Sequence, residues 1–175
     1  HDELVDFSSH GVDVAIRLGR GDYPGLASTL LLKEHVFPVC SPDFPKRYDN
    51  LNEPADLLSV PLLLRLGDPA HPNWEGWFKM AGVDDAVLTE GTRFPDTNMA
   101  LQAAMEGQGV ALARSAHVGD DLKAGHLVRL FDVDYPSSVS YYLVCPNATS
   151  EKPRVVAFRD WLLAEAKIAQ QEYDR

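Results

Sequence analysis

Residues 93–115 read RFPDTNMALQAAMEGQGVALARS, and the order of residue types in this stretch decides the fold. A strand over 87–94 closes at Phe94, Pro95 interrupts it, and Asp96 or Thr97 can cap the helix that follows. A short side-chain oxygen at that point accepts from an otherwise orphaned N–H of the first turn. NMALQAAME (98–106) is helical, with Gly107 just beyond its last turn. GVALA (109–113) then reads as a short buried strand. Strand, helix and strand in succession are the building unit of an α/β sheet.

The pattern continues outward in both directions. VDVAIRL (12–18) alternates and is β-branched, a strand closed by Gly19-Arg20-Gly21 in a flexible loop where a ligand could sit. LLLKEHVFPV (30–39) is a second extended run, in which Pro38 forbids a central position along its whole length. A short helix is expected over 54–58, with Pro54 in its first turn, and a strand over 61–66. In PNWEGWFKMAGV a helix presents Trp74 and Trp77 on one face, suited to plugging a core, and Gly82 stops it. A polar helix (118–123), a strand (127–131) and a last strand (139–145) precede a final helix starting near 150–153. Its Val155, Phe158, Leu162 and Ala166 repeat at three to four and define one packed face. At the other end DELVDF (2–7) is helix-like. The alternation predicts an α/β architecture with mainly parallel, buried strands.

The chain has 175 residues, 45% of them hydrophobic and 24% charged, enough for one ordinary domain or two small intertwined lobes. Its 26 acidic against 16 basic residues give a net charge of -10, which argues against direct DNA contact through a basic face. No apolar run approaches the roughly 20 residues that span a bilayer, and a membrane partner is not expected. Cys40 and Cys145 are too few for a disulfide framework or a metal finger and read as buried, reduced thiols of a cytoplasmic protein.

Motifs of catalysis are missing. The six histidines form no HExxH or Cys/His spacing, there is no GxSxG elbow, and Gly107-Gln108-Gly109 lies between helix and strand, the reverse of a dinucleotide fingerprint. Neither a metal nor a cofactor is expected, and the chain does not read as an enzyme. Two places read as ligand sites. Phe94, Pro95, Asp96 and Thr97 join a strand end to a helix start, where backbone N–H groups and small polar side chains suit an anion or a carbonyl, or Asp96 or Thr97 merely caps. At Arg17, Leu18 and Gly19 a cation at a strand end could hold an acidic ligand or pair with a neighbouring carboxylate. Tyr141 and Tyr142 point to opposite faces of their strand, so at most one reaches the same place.

Together, GVDVAIRLGRG, FPVCSPDF, PADLL, WEGWFKMAGV, RFPDTNMALQAAMEGQGVALARS, AGHLVRLF, YYLVCP and FRDWLLAEA make the chain resemble the effector-sensing domain of LysR-type transcriptional regulators. The resemblance is to the subgroup of the glycine-cleavage activator and the β-lactamase regulator, and covers nearly the whole chain. It implies two Rossmann-like lobes of periplasmic-binding-protein type, joined by crossover strands near 37–40 and 138–142. Lobe I would comprise 1–38 with 141–175 and lobe II 39–140. The resemblance also implies a small-molecule effector in the interlobe cleft, contacted by Arg17, Leu18 and Gly19, by Phe94, Pro95, Asp96 and Thr97, and by Tyr141 as the likelier-placed tyrosine of SYYLV. It implies a homodimer or homotetramer that meets DNA through an N-terminal winged helix-turn-helix not contained in this sequence. Lobe I of the family begins with a strand, a helix and a strand that would precede His1, so the expectation is an incomplete lobe I with the 12–18 strand left at an open edge. The alternative that shares this architecture is a solute-binding protein of a transport system.

Overall fold

The computed structural model describes residues 7, 11–48, 50–66, 73–88 and 91–173; the helix expected over 2–7 lies outside them, save Phe7. The chain divides into two compact units, 1–34 with 138–175 and 35–137. These boundaries compare with the expected 38/39 and 140/141.

The first unit holds a three-stranded sheet. Strand β1 (Ala15–Gly19) and strand β2 (Leu26–Leu32) both pair antiparallel with β9 (Ser140–Pro146), which lies between them. β1 and β2 are therefore parallel to each other, and the six residues 20–25 must carry the chain back across β9. Parallel strands usually need a longer connection. Leu143, Val144 and Cys145 in the central strand are buried on both faces, and helix α4 (Pro153–Tyr173) packs against β2, its Val155 and Ala166 buried. Among the described strands β1 has a neighbour on one side only, and Ile16 and Leu18 are exposed on it.

Arg154 at the start of α4 grips Asp13 just before β1 through two parallel bonds, Nε to Oδ2 at 2.8 Å and Nη2 to Oδ1 at 2.7 Å. That grip holds the Asp13 carboxyl below its ordinary value of 3.8. A carboxyl lowered on folding stabilises above its unfolded pKa and ceases to as pH falls through the folded one. The pair is therefore expected to contribute at neutral pH and to fade in acid below about pH 4. Titration of the Asp13 carboxyl by NMR should show this low midpoint, and Arg154→Ala should move it back up; an unmoved midpoint would remove Arg154 as the cause.

In the second unit five strands run in the order β5-β4-β6-β3-β7, with β8 also on β3. They are β3 (His35–Cys40), β4 (Leu62–Arg65), β5 (Thr92–Phe94), β6 (Val110–Arg114), β7 (Val128–Arg129) and β8 (Tyr135–Pro136). The helices are α1 (Trp74–Met80), α2 (Thr97–Met105) and α3 (Ser115–Ala124), with a 3-10 turn at Pro54–Ser59. Two-residue alternation along the strands builds a core on each face. Phe37, Val39, Leu63, Ala111 and Ala113 meet Ala100, Leu101 and Ala104 of α2 on one side. Cys40, Leu62, Leu64 and Val110 meet Phe44, Leu57, Trp74, Trp77 and Phe78 on the other. The tryptophan pair fills a core, as expected from its spacing. Both cysteines are buried and free, and burial pushes the Cys40 thiol up to about 12.

Four local expectations need correction. The expectation of mainly parallel strands fails, because only β4 runs parallel to its neighbours β5 and β6, where helices make the crossovers. β3 pairs antiparallel with β6, β7 and β8, and β9 with both its partners. The extended run over 30–39 is two strands, broken at Lys33-Glu34. Pro38 sits where β3 faces the gap between β7 and β8; its carbonyl accepts from Leu130 N, so the face lacking an N–H looks toward that gap. The strand expected over 87–94 is confined to Thr92–Phe94, with Val87 exposed. On α4 the expected packed face loses Phe158, which is exposed and stacks with exposed Trp161.

Candidate functional site

In the second unit the residues expected at a ligand site are contiguous. β5 ends at Phe94, whose carbonyl accepts from Leu66 N at 2.7 Å. Pro95 is exposed, and Asp96 is the N-cap of α2, its Oδ1 accepting from Met99 N at 3.0 Å. Thr97 is the first helical residue and half-buried. Ala100, Leu101, Ala103 and Ala104 anchor the helix in the core and so fix where its N-terminus projects. Asp96 thus caps, and its carboxylate already answers the positive end of the helix dipole, which disfavours a second anion there. The N–H groups still open in the first turn favour a neutral hydrogen-bond acceptor.

In the first unit the sheet register sorts the expected residues by face. Arg17 stands opposite Tyr142 and Gly19 opposite Ser140, while Leu18 stands opposite Tyr141 on the other face. Tyr23, from the 20–25 crossover, comes down on the Arg17 face. The Arg17 guanidinium lies 5.3 Å from the Tyr23 ring centre and 5.6 Å from that of Phe7, within cation–π range. Tyr23 and Tyr142 meet edge to face at 6.3 Å. Gly19 is not part of a flexible loop, as expected, but the last residue of β1, and a Cβ on it would strike the Tyr23 hydroxyl. Gly21 has φ +88°, and a Cβ there would meet the Tyr142 ring at 2.6 Å. Burial raises the Tyr23 pKa, and its Oη has no hydrogen-bond partner among the described residues. Arg17 and Gly19 are therefore grouped with Tyr23 and Tyr142, and Tyr141 is not on their face. Tyr23 was missed from sequence; the signal available was an aromatic residue between two glycines in GDYPG.

The model of the LysR substrate binding domain matches residues 1–167. The glycine cleavage system transcriptional activator of Escherichia coli K12 is 36% identical over 172 residues, 98% of this chain and 55% of that protein. The HTH-type transcriptional activator AmpR of Pseudomonas aeruginosa is 35% identical over 170 residues, 96% of this chain and again 55% of its own length. The chain thus spans about half the length of these curated relatives. Among solved structures, the effector domain of AmpR from Pseudomonas aeruginosa superposes with a TM-score of 0.73 at 31% identity, covering 98% of this chain and 80% of that one. The AmpR effector binding domain of Citrobacter freundii follows at 0.72 and 27%, covering 95% and 80%. The mixed α/β fold is therefore that of LysR effector-binding domains, with periplasmic-binding-protein-like architecture. On the family match over 1–167 and the identity to these activators, this chain belongs to the LysR substrate-binding domain family.

Proposed function

We propose that this chain is the effector-sensing part of a LysR-type transcriptional regulator. The observation that carries the reading is the 36% identity, over 98% of the chain, to a transcriptional activator. The matched relatives are named as activators of transcription, which favours regulation over the transport alternative and over catalysis. The proposed effector contacts are Arg17 and Gly19 of the first unit and Phe94, Pro95, Asp96 and Thr97 of the second; Leu18 and Tyr141 point to the opposite face of the sheet from Arg17 and Gly19. An effector that prefers one conformation shifts the population toward it by its differential affinity, and that shift is what a cytoplasmic homodimer or homotetramer would pass to promoter DNA. The DNA contact itself is assigned to a winged helix-turn-helix outside the matched part, which fits the acidity of this sequence. Among the described residues no helix is long and apolar enough to cross a membrane.

A thermal-shift screen of small metabolites against the intact protein tests the reading, with a stabilising ligand that also alters promoter binding as the expected result. Thr97→Val, which removes a hydroxyl without changing shape, should then weaken that ligand about 5- to 10-fold, the worth of one hydrogen bond. Its stability should stay within about 1 kcal/mol of the parent. Unchanged affinity by calorimetry would take Thr97 out of the site, and ligands that bind without touching promoter affinity would defeat the regulatory reading.

A further inference from the structure

Tyr23 has no place in the effector contacts proposed above, yet it occupies the space they need. Its ring lies over the Arg17 guanidinium, and its hydroxyl fills the position a Gly19 side chain would take. It rides on the 20–25 crossover, between Gly21 at φ +88° and Gly25 at φ +80°, conformations that other residues rarely adopt. Below it Tyr142 supports the ring edge-on. The hydroxyl at the tip is buried and lacks a hydrogen-bond partner among the described residues. A buried hydroxyl without a partner is held at a cost, which is relieved when the side chain swings out to water.

We propose that Tyr23 is a gate: its phenol closes over Arg17 and Gly19, and opening it decides which ligands reach them. The inference rests on the reading of Arg17 and Gly19 as effector contacts. Closure is stabilised by the ring, through Arg17 and Tyr142, and opposed by the hydroxyl. The closed state is therefore poised rather than locked.

The test uses phenylglyoxal, which modifies accessible guanidinium groups, on the intact protein, with Arg17 followed by peptide mass spectrometry and exposed Arg20 as the internal reference. Tyr23→Phe keeps the ring and deletes the costly hydroxyl, so closure deepens and the Arg17 rate relative to Arg20 should fall about fivefold or more. Tyr23→Ala removes the gate and leaves only the Phe7 ring of the two beside Arg17, and the same ratio should rise about threefold or more. If Tyr23→Phe matches the parent, the hydroxyl does not oppose closure and the gate is overturned, even if Tyr23→Ala fails to fold. Because no effector is added, failure to find one bears on the regulatory reading and not on this result.

Discussion

Trp77→Ala is expected to destabilise the second unit by about 3–5 kcal/mol, the range for truncating a fully buried large aromatic. Trp77 is completely buried, and its indole Nε1 donates to the Val133 carbonyl at 3.0 Å. Its ring is edge-on to Trp74 and Phe78 at 5.8 and 5.4 Å and tilted on Phe131 at 6.2 Å. One side chain thus joins α1 to the 131–135 segment that returns along β3, and alanine would leave a void in a packed core. Gly76, one residue earlier, sits where a Cβ would meet the Tyr135 ring at 2.5 Å, so α1 is already pressed against that segment. Urea denaturation followed by near-UV circular dichroism measures the loss. A cost under about 1 kcal/mol would show that the two faces are not joined through this residue.

Gly109→Ala is expected to cost about 1–3 kcal/mol, as overpacking does. A Cβ there would lie 2.6 Å from the Pro61 carbonyl oxygen and 3.0 Å from the Leu63 side chain. The first of these is backbone and cannot rotate away. Pro61 O also accepts from Val110 N at 3.0 Å, so pushing it aside weakens the start of the parallel pairing between β4 and β6. Gly109 is therefore glycine because two backbones approach closely, and not to loosen a turn. A melting temperature equal to that of the parent would refute the clash.

Sequence reading succeeded where the cause is local and stumbled where it is tertiary. The Asp96 cap and the helix behind it follow from residues within four positions of one another, and the structure has them. The tryptophan face of α1 is also local, a matter of three-residue spacing. Val87 and Leu88 look like strand by composition, but pairing needs a partner, and β4 offers register only from Leu63 onward, opposite Thr92. Mainly parallel pairing was inferred from alternating elements, yet direction depends on which strands become neighbours, and β9 is drawn between β1 and β2 from more than a hundred residues away. The same holds for the site. Arg17 and Gly19 were legible as a strand end, whereas Tyr23 over them and Tyr142 beside them depend on the crossover at 20–25, which nothing in the local spacing reveals. The preference for Tyr141 came from resemblance alone; the register places Tyr142 opposite Arg17.

The crossover strapped over β9 also dictates an order of assembly on the ribosome. β1 and β2 emerge before β9, so the slot between them stays vacant until residues 140–146 have been synthesised. The segment 35–137 is continuous and can close its own sheet before then. Between the synthesis of residue 32 and that of residue 140 the nascent chain thus carries two strands whose shared partner does not yet exist, and it completes them by inserting β9 beneath the 20–25 strap. That step has high sequence separation and is intrinsically slow, so it is the stage at which this protein is most exposed to chaperones and to mispairing with another copy.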